Sequence, residues 1–423
     1  MTNHDRFYFT NAHLIDGTGT PKTDYPYALL VNGRHIETVA PAHEFSCPEN
    51  AVEIDIGGRT LMPGMIDCHD HLGIMEGGMR DRATIPPSLA VLKSAAIMKD
   101  TLLSGFTSLR DAGGLDHGMK LAVEQGLIPG PRLKISINIL SQCGGHNCHI
   151  EPAGVDSHYP VLPGIPNCFC DGVDQCRQRT REMIFAGADW IKLCTTGGIA
   201  TRIGGPLIRQ FSLEEVAAIV DTAHAAGKPV MCHAYGGEGA RIAIECGIDS
   251  LEHGAALEEP ELEQMAKKGI WLVPTFAVLR KVVKVNKETP EVLQPYVAPK
   301  AEALLEQQVI SLKKALAAGV QIALGTDAGA FRHGENAIEF QHLVEAGMSP
   351  MQAIVAGTSA GARCMGLGDE VGVLRNGMLA DLLVVDGDPL DDVRILQNRD
   401  RLKLIMQDGK IIKDTLSTVG EAA

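Results

Sequence analysis

A short pattern recurs five times in the middle of the chain: a helical stretch, then a glycine, then a brief apolar run. The glycines are Gly105, Gly187, Gly247, Gly269 and Gly319. Glycine suits the left-handed residue that ends a helix, so each occurrence predicts a helix followed directly by a strand. Helix–strand alternation over roughly 300 residues is typical of βα units around a parallel sheet.

Two helix starts are marked by side chains that satisfy free backbone amides. Ser212 begins a capping box with Glu215, and Ser349 is followed by Pro350 at the first helical position. A doubly wound sheet would give the same alternation, but the glycine-rich loops that bind nucleotides on such sheets are absent. Counting strands favours a (β/α)8 TIM barrel instead. The predicted barrel strands lie near Met65, Phe106, Leu133, Trp190, Val230, Ser250, Trp271 and Ile322.

The two ends of the chain have a different pattern of short apolar runs separated by turns. Asn32-Gly33 and Asp408-Gly409 are hairpin signals. The runs lie at 7–9, 28–31, 51–54, 380–385 and 403–406. We therefore expect residues 1–62 and 365–423 to form one small composite β-sandwich domain, and residues 63–364 to form the catalytic barrel.

Composition excludes several classes of partner. The formal net charge is −14 without a basic stripe, which argues against nucleic acid. No apolar run is long enough to span a bilayer, and residues 1–10 lack the apolar core of a signal peptide. We expect a cytoplasmic protein, and free thiols for its 11 cysteines.

Residues able to bind metal fall where the predicted strands end. They are His69, His71, Lys192, His233, His253 and Asp327. Each alone has a simpler explanation: a strand-end lysine reaches solvent, and a lone histidine packs in a core. A parallel barrel, however, brings the carboxyl ends of its strands to one mouth. One shared metal site then explains the whole set.

Lys192 is unusual because it lies inside an apolar run, Ile191-Lys192-Leu193. A lysine buried there would be driven towards its neutral amine. A neutral amine can react with carbon dioxide to give a carbamate, an anionic ligand able to bridge two cations.

With these six residues in place, the whole chain resembles the amidohydrolase superfamily. Superfamily deaminases and imidazolonepropionase-like enzymes usually hold one metal, lack the lysine, and have a glutamate shortly after the histidine of strand five. Here Lys192 is present and His233-Ala234-Tyr235-Gly236 has no such glutamate. The chain looks more like the Xaa-Pro dipeptidase and N-acyl-amino-acid carboxypeptidase branch, and like ochratoxin-type amidases.

The resemblance implies two divalent cations, with zinc suiting the nitrogen and carboxylate ligands. One would be held by His69, His71 and Asp327 and the other by His233 and His253. A carbamate on Lys192 and a hydroxide would bridge them. By the same resemblance, Asp327 would transfer protons, and Tyr235 and His146 would bind the substrate by hydrogen-bonding its carbonyl oxygen.

The expected substrate is a small dipeptide or N-acyl amino acid, cleaved at the amide bond before its C-terminal residue. Arg202 is the first candidate for binding the substrate carboxylate, and Arg110 and His333 are others. The segment 141–171 is expected to form a lid. Cyclic-amide hydrolysis or deamination, and a non-catalytic barrel scaffold, remain as alternatives. We also expect a homo-oligomer.

A second metal site is conceivable in the same segment. Its candidate ligands are Cys143, Cys148, Cys168, Cys170, His146 and His149. Their spacing fits none of the common structural zinc motifs.

Overall fold

A computed structural model of the chain describes residues 6–21, 26–74, 85–148 and 164–416. In chain order, its strands are β1 (Arg6–Leu14), β2 (Tyr27–Asn32), β3 (His35–Pro41), β4 (Val52–Asp55), β5 (Thr60–Pro63), β6 (Met65–Asp70), β7 (Phe106–Asp111), β8 (Arg132–Ile135), β9 (Ile139–Leu140), β10 (Ile191–Cys194), β11 (Val230–Gly236), β12 (Ser250–Ala256), β13 (Trp271–Val273), β14 (Leu382–Val385), β15 (Leu402–Gln407) and β16 (Lys410–Asp414).

The helices alternate with most of the strands from β6 to β13, as the glycine pattern predicts, and further helices follow β13. They are α1 (Pro87–Leu103), α2 (His117–Glu124), α3 (Val173–Phe185), α4 (Leu213–Ala225), α5 (Gly237–Cys246), α6 (Glu259–Lys268), α7 (Phe276–Glu288), α8 (Val297–Ala317), α9 (Ile338–Glu345), α10 (Pro350–Ala356) and α11 (Ser359–Cys364). Short 3-10 turns span Pro290–Val292 and Val393–Gln397.

Strands from both ends of the chain share one eight-stranded sheet. Its order is β16-β15-β14-β5-β1-β2-β3, and β4 pairs with β1 in parallel. The hairpin between β15 and β16 turns through Asp408 and Gly409, both with positive φ, as the Asp-Gly signal predicts. Apolar side chains of β1, β2, β14 and β15 fill the core of this region. The predicted sandwich and its boundaries stay predictions.

The central strands form parallel sheets. One has the order β13-β12-β11-β10-β9, and another has the order β6-β7-β8. The segment predicted as the eighth barrel strand is not a regular strand. It makes isolated parallel bridges instead, from Ile322 to Leu272 and from Ala328 to Asp70.

Local signals in the sequence are confirmed in the structure. All five glycines of the recurring helix–glycine–strand pattern have positive φ. Ser212 and Ser349 both form complete capping boxes with the residues three positions later. Seven of the eight predicted barrel strands are strands here, whereas the two-residue strand β9 is not anticipated by the sequence.

The described chain divides into two compact units. One takes in the described parts of Met1–Asp67, Asp100–Ser108 and Gly334–Ala423, and the other takes in those of Cys68–Lys99 and Leu109–His333. All six candidate ligands lie in the second unit. Within the described ranges, no helix is long and apolar enough to cross a membrane.

Candidate metal centre

Neighbouring parallel strands carry the candidate ligands. Lys192 lies on β10, His233 on β11 and His253 on β12, and the register pairs Cys194 with His233 and Ala234 with His253. His69 lies near the end of β6. Parallel strands in register place their carboxyl ends at one edge of the sheet, which explains how residues far apart in sequence converge.

One group of three side chains already has the geometry of a metal site. The nearest oxygen of Asp327, Oδ1, lies 3.4 Å from Nε2 of His69 and 3.2 Å from Nε2 of His71. The possible ligand atoms of the three residues lie within 4.8 Å of one another. The histidines are buried, and the Asp327 side chain is 18% exposed.

The other histidines continue this group as a row of rings. Ring centroids are 5.3 Å apart between His71 and His69, 5.1 Å between His69 and His253, and 4.5 Å between His253 and His233. His146 follows, stacked on His233 at 4.1 Å. The structure thus brings together all four histidines predicted as ligands.

Each of these four rings is bonded through one nitrogen to a group outside the row. The contacts are His69 Nδ1 to Glu252 Oε2 (2.6 Å), His71 Nδ1 to the Gly113 carbonyl (2.8 Å), His233 Nε2 to the Gly197 carbonyl (3.0 Å) and His253 Nδ1 to Thr275 Oγ1 (2.7 Å). A carbonyl only accepts, so it fixes which nitrogen carries the proton. Such outer contacts are typical of metal-binding histidines, and the donor set therefore fits a divalent cation.

The amine of Lys192 differs from the histidine rings, because no hydrogen bond from a described residue holds it. The residue is 2% exposed, and its Nζ has no hydrogen-bond partner among the described residues. A buried ammonium without a partner is costly. Its charge acts on His233, His253 and Glu252, so it lies close to the candidate ligands.

The protonation states favour metal binding at the inner histidines. Burial, together with the charges of neighbouring histidines and Lys192, holds the pKa of His233 well below its ordinary value. Burial does the same to the pKa of His253. Burial raises the pKa of Asp327, but its bonds to His69 and His71 outweigh that effect and hold the pKa well below its usual range. Neutral imidazoles beside a carboxylate are the required ligand forms.

Tyr235 and His146 border this row of rings. Tyr235 is 2% exposed, and its ring stacks on His253 with centroids 5.1 Å apart. Burial and the charge of Asp327 raise the pKa of Tyr235 far above its ordinary value, so the phenol stays a donor. His146 is half-buried, and its Nδ1 lies 2.9 Å from the hydroxyl of Thr201.

The residues considered for substrate binding lie in different environments. Arg202 is exposed in the loop after β10. The prediction for Arg110 is wrong, because its guanidinium is fully buried and bonded within the protein. His333 is also buried, with Nε2 2.8 Å from the Ile74 carbonyl and Nδ1 3.2 Å from Asp70. Neither side chain is available to a substrate carboxylate.

Sequence reasoning missed the groups that hold the rings. Glu252 and Thr275 bind His69 and His253 through side chains, while Gly113 and Gly197 act through backbone carbonyls. A usable signal existed for Glu252, since a carboxylate within an apolar strand needs a partner. The carbonyls leave no signal in a sequence.

The backbone at this centre adopts a conformation that side chains rarely take. His253, Thr275 and Asp327 have positive φ, of 73°, 50° and 60°. Histidine and aspartate tolerate this region better than most residues, but a β-branched threonine there is an outlier. Strained backbone of this kind clusters at functional sites.

The cysteine cluster shows no comparable geometry in the described part of the chain. Cys143 is exposed, whereas Cys168 and Cys170 are buried, and all are free thiols. Among the described residues, only His69, His71 and Asp327 bring three possible ligand atoms within 4.8 Å of one another. His149 and residues 149–163 of the predicted lid lie outside the described residues.

The α/β fold carries histidines and a carboxylate near the carboxyl ends of its central strands, and this set of groups suits a divalent cation. The chain belongs to the amidohydrolase family, whose sequence pattern matches residues 60–412. Members of this family generally use divalent metals, in agreement with the group formed by His69, His71 and Asp327. The resemblance inferred from the sequence is confirmed.

Known proteins agree with this assignment. Ochratoxinase from Aspergillus niger is 35% identical over 368 residues, which cover 84% of this chain and 75% of that protein. The crystal structure of an amidohydrolase has a TM-score of 0.89 at 32% identity, covering 97% of this chain and 99% of its own. A prolidase complexed with N-methylphosphonate-L-proline has a TM-score of 0.87 at 31% identity, covering 97% and 100%.

Proposed function

We propose that the protein is a binuclear, zinc-dependent amidohydrolase that cleaves the amide bond before a C-terminal amino acid. Its substrates would be Xaa-Pro dipeptides or N-acyl amino acids. The similar prolidase and ochratoxinase support amide hydrolysis as the reaction class. The observation that carries the binuclear mechanism is the buried, unpartnered amine of Lys192.

Two cations would need more ligands than the histidines and Asp327 supply. His69, His71 and Asp327 supply three ligand atoms for one cation, whereas His233 and His253 supply only two for another. Lys192 as an ammonium ion cannot bind a cation. As a carbamate it would be an anionic ligand, and the buried ammonium that lacks a hydrogen-bond partner would no longer exist. This modification would complete both sites at once.

When bound, the two cations would lower the pKa of a water molecule and polarise the scissile carbonyl. The chain's own groups would then perform the proton transfers and stabilise charge. Asp327, which is ionised and partly exposed, would accept the proton of the attacking water and pass it to the leaving amine. The phenol of Tyr235 and the ring of His146 would donate hydrogen bonds to the developing oxyanion, each worth roughly 3 kcal/mol.

The proposal extends to the closure of the barrel, the substrate carboxylate and the state of the protein in the cell. The bridges at Ile322 and Ala328 support a barrel closed between β13 and β6. Arg202 remains the candidate for the substrate carboxylate, since it is exposed in the loop that contains Thr201, the partner of His146. A cytoplasmic location and a homo-oligomer stay predictions.

A panel assay tests the proposed activity. Purified protein, with its metal content measured, would be incubated with Xaa-Pro dipeptides, N-acyl amino acids and amino-substituted purines or pyrimidines. We expect release of a free amino acid and about two metals per chain. Ammonia release from nucleobases with one metal per chain would support the deaminase alternative instead. Metal-independent turnover would contradict the mechanism, and the absence of any turnover with metal bound would favour the scaffold alternative.

A further inference from the structure

Arg110 on β7 is the largest side chain that is completely buried in the described structure. Its guanidinium donates from Nε to the Cys68 carbonyl at 2.6 Å, from Nη1 to Ser250 Oγ at 3.0 Å and from Nη2 to Glu252 Oε1 at 3.0 Å. Its Cζ also lies 4.3 Å from the centroid of the Trp190 ring. A charge buried so deeply is retained only with a matching anion.

That anion is Glu252, which is also fully buried. One of its oxygens, Oε1, faces Arg110 and accepts from Ser250 Oγ at 2.6 Å. The other, Oε2, lies 2.6 Å from Nδ1 of His69. Ser250 and Glu252 are two residues apart on β12 and so project to the same face, where both contact Arg110.

His69 is thereby distinguished from the other three rings. His71 and His233 are held by backbone carbonyls, and His253 is held by a hydroxyl. A carboxylate is a stronger acceptor than either group, since charge-assisted hydrogen bonds are about twice as strong as neutral ones. It also draws the Nδ1 proton, which makes the opposite nitrogen a better electron donor.

We propose that Glu252, fixed by Arg110, is a positioning residue that orients the ring of His69 and strengthens it as a metal ligand. The inference rests on the proposed metal site. Arg110 sets the direction of the carboxylate, and the carboxylate sets which nitrogen of His69 faces Asp327. Neither residue contacts the substrate in this arrangement, so the effect acts through metal binding.

Glu252→Gln tests whether the negative charge at this position is needed. Glu252→Asp tests whether the carboxylate must extend as far as His69. Glutamine preserves size but removes the negative charge that faces Arg110, which is destabilising, whereas aspartate keeps the charge and is one methylene shorter. Asp189→Asn is the matched control, because Asp189 also forms a half-buried ion pair, 2.8 Å from Lys120, but is bonded to no candidate ligand. Folding is checked by circular dichroism.

The measurements are zinc affinity by competition with a chelator, and the electronic spectrum of the cobalt-substituted protein. We expect affinity to fall 10- to 100-fold in Glu252→Asp and in any folded Glu252→Gln, with a changed cobalt spectrum. Asp189→Asn should match the wild type in both measurements.

Three results would overturn the inference. One is wild-type affinity and spectrum in folded Glu252→Asp. Another is an equal loss of affinity in Asp189→Asn, which would indicate general destabilisation. A third is failure of Glu252→Asp itself to fold, which would make the carboxylate a folding element. If the wild type binds no zinc or cobalt, the proposed function itself fails.

Discussion

The ring of His146 lies nearly parallel to the ring of His233, with centroids 4.1 Å apart and 19° between the planes. Gly198 packs closely against the His146 ring, because a Cβ at that position would overlap atoms of the ring. The hydroxyl of Thr201 bonds to Nδ1 of His146 and also accepts from the amide of Gly198 at 2.8 Å. His146 is therefore held in one position beside the candidate metal centre.

Gly198→Ala should displace this ring without touching a metal ligand. We expect turnover to fall about 10- to 100-fold, since a small misplacement of a catalytic group can cost this much. Metal content should not change. Gly205→Ala, in the same loop, is the control, because a Cβ there would lie no closer than 3.9 Å to its neighbours. Equal activity of the two variants would argue against a role for His146.

Tyr235→Phe removes one hydroxyl from a buried ring that also packs against His253. If that hydroxyl stabilises the oxyanion, kcat should fall about 10²- to 10³-fold with little change in metal content. Steady-state kinetics and metal analysis on the same preparation would check this. A variant with unchanged kcat would assign Tyr235 to packing only.

Lys192→Ala should lose at least one metal and nearly all activity. The reason is that the proposed carbamate would be the ligand shared by the two groups of histidines. Carbon-13 spectra recorded with labelled bicarbonate should show a carbamate signal in the wild type and none in the variant. Lys313→Ala, an exposed lysine on α8, is the control and should behave as wild type. Full activity of Lys192→Ala would contradict the binuclear mechanism.

Chelation should lower thermal stability as well as activity. A cation present at 100 times its dissociation constant stabilises the native state by about 2.7 kcal/mol. For a protein of this size we expect the loss to lower Tm by several degrees. Differential scanning calorimetry before and after chelation, and after zinc is restored, would measure it. An unchanged Tm, with metal loss verified, would exclude a contribution of the cation to stability.

Buried thiols predict a loss of stability in alkali. Burial raises the pKa of the Cys168 thiol from 9.0 to about 12. Between these values the native state holds a proton that the unfolded state releases, so stability falls as the pH rises through this window. The unfolding free energy, measured in urea at pH 8 to 11, should therefore decrease. In Cys168→Ala the decrease should be shallower by up to about 1.4 kcal/mol per pH unit, and an identical slope would contradict the assignment.

The sequence predicted features that depend on local chemistry. Helix ends at Gly247 and Gly269, the caps at Ser212 and Ser349, and the polar ends of the apolar strands all follow from neighbouring residues. The convergence of the four histidines then followed from the parallel arrangement of the strands.

Features that depend on distant contacts were not predictable in the same way. Arg110 and Glu252 are 142 positions apart, and nothing in either local pattern indicates that they pair. The sequence alone therefore makes Arg110 a candidate for substrate binding, although its guanidinium is buried and bonded within the protein. The prediction of a regular eighth barrel strand was wrong for a related reason. Ile322 and Ala328 form only isolated bridges to partners elsewhere in the chain.

The left-handed backbone at Thr275 has a practical consequence for engineering. Glycine would relieve a strain of about 1–3 kcal/mol at this position, yet it would also remove the hydroxyl that holds His253. A selection for heat tolerance alone would favour Thr275→Gly and yield a more stable but poorly active enzyme. Position 275 should therefore be excluded from stability-guided libraries built on this chain.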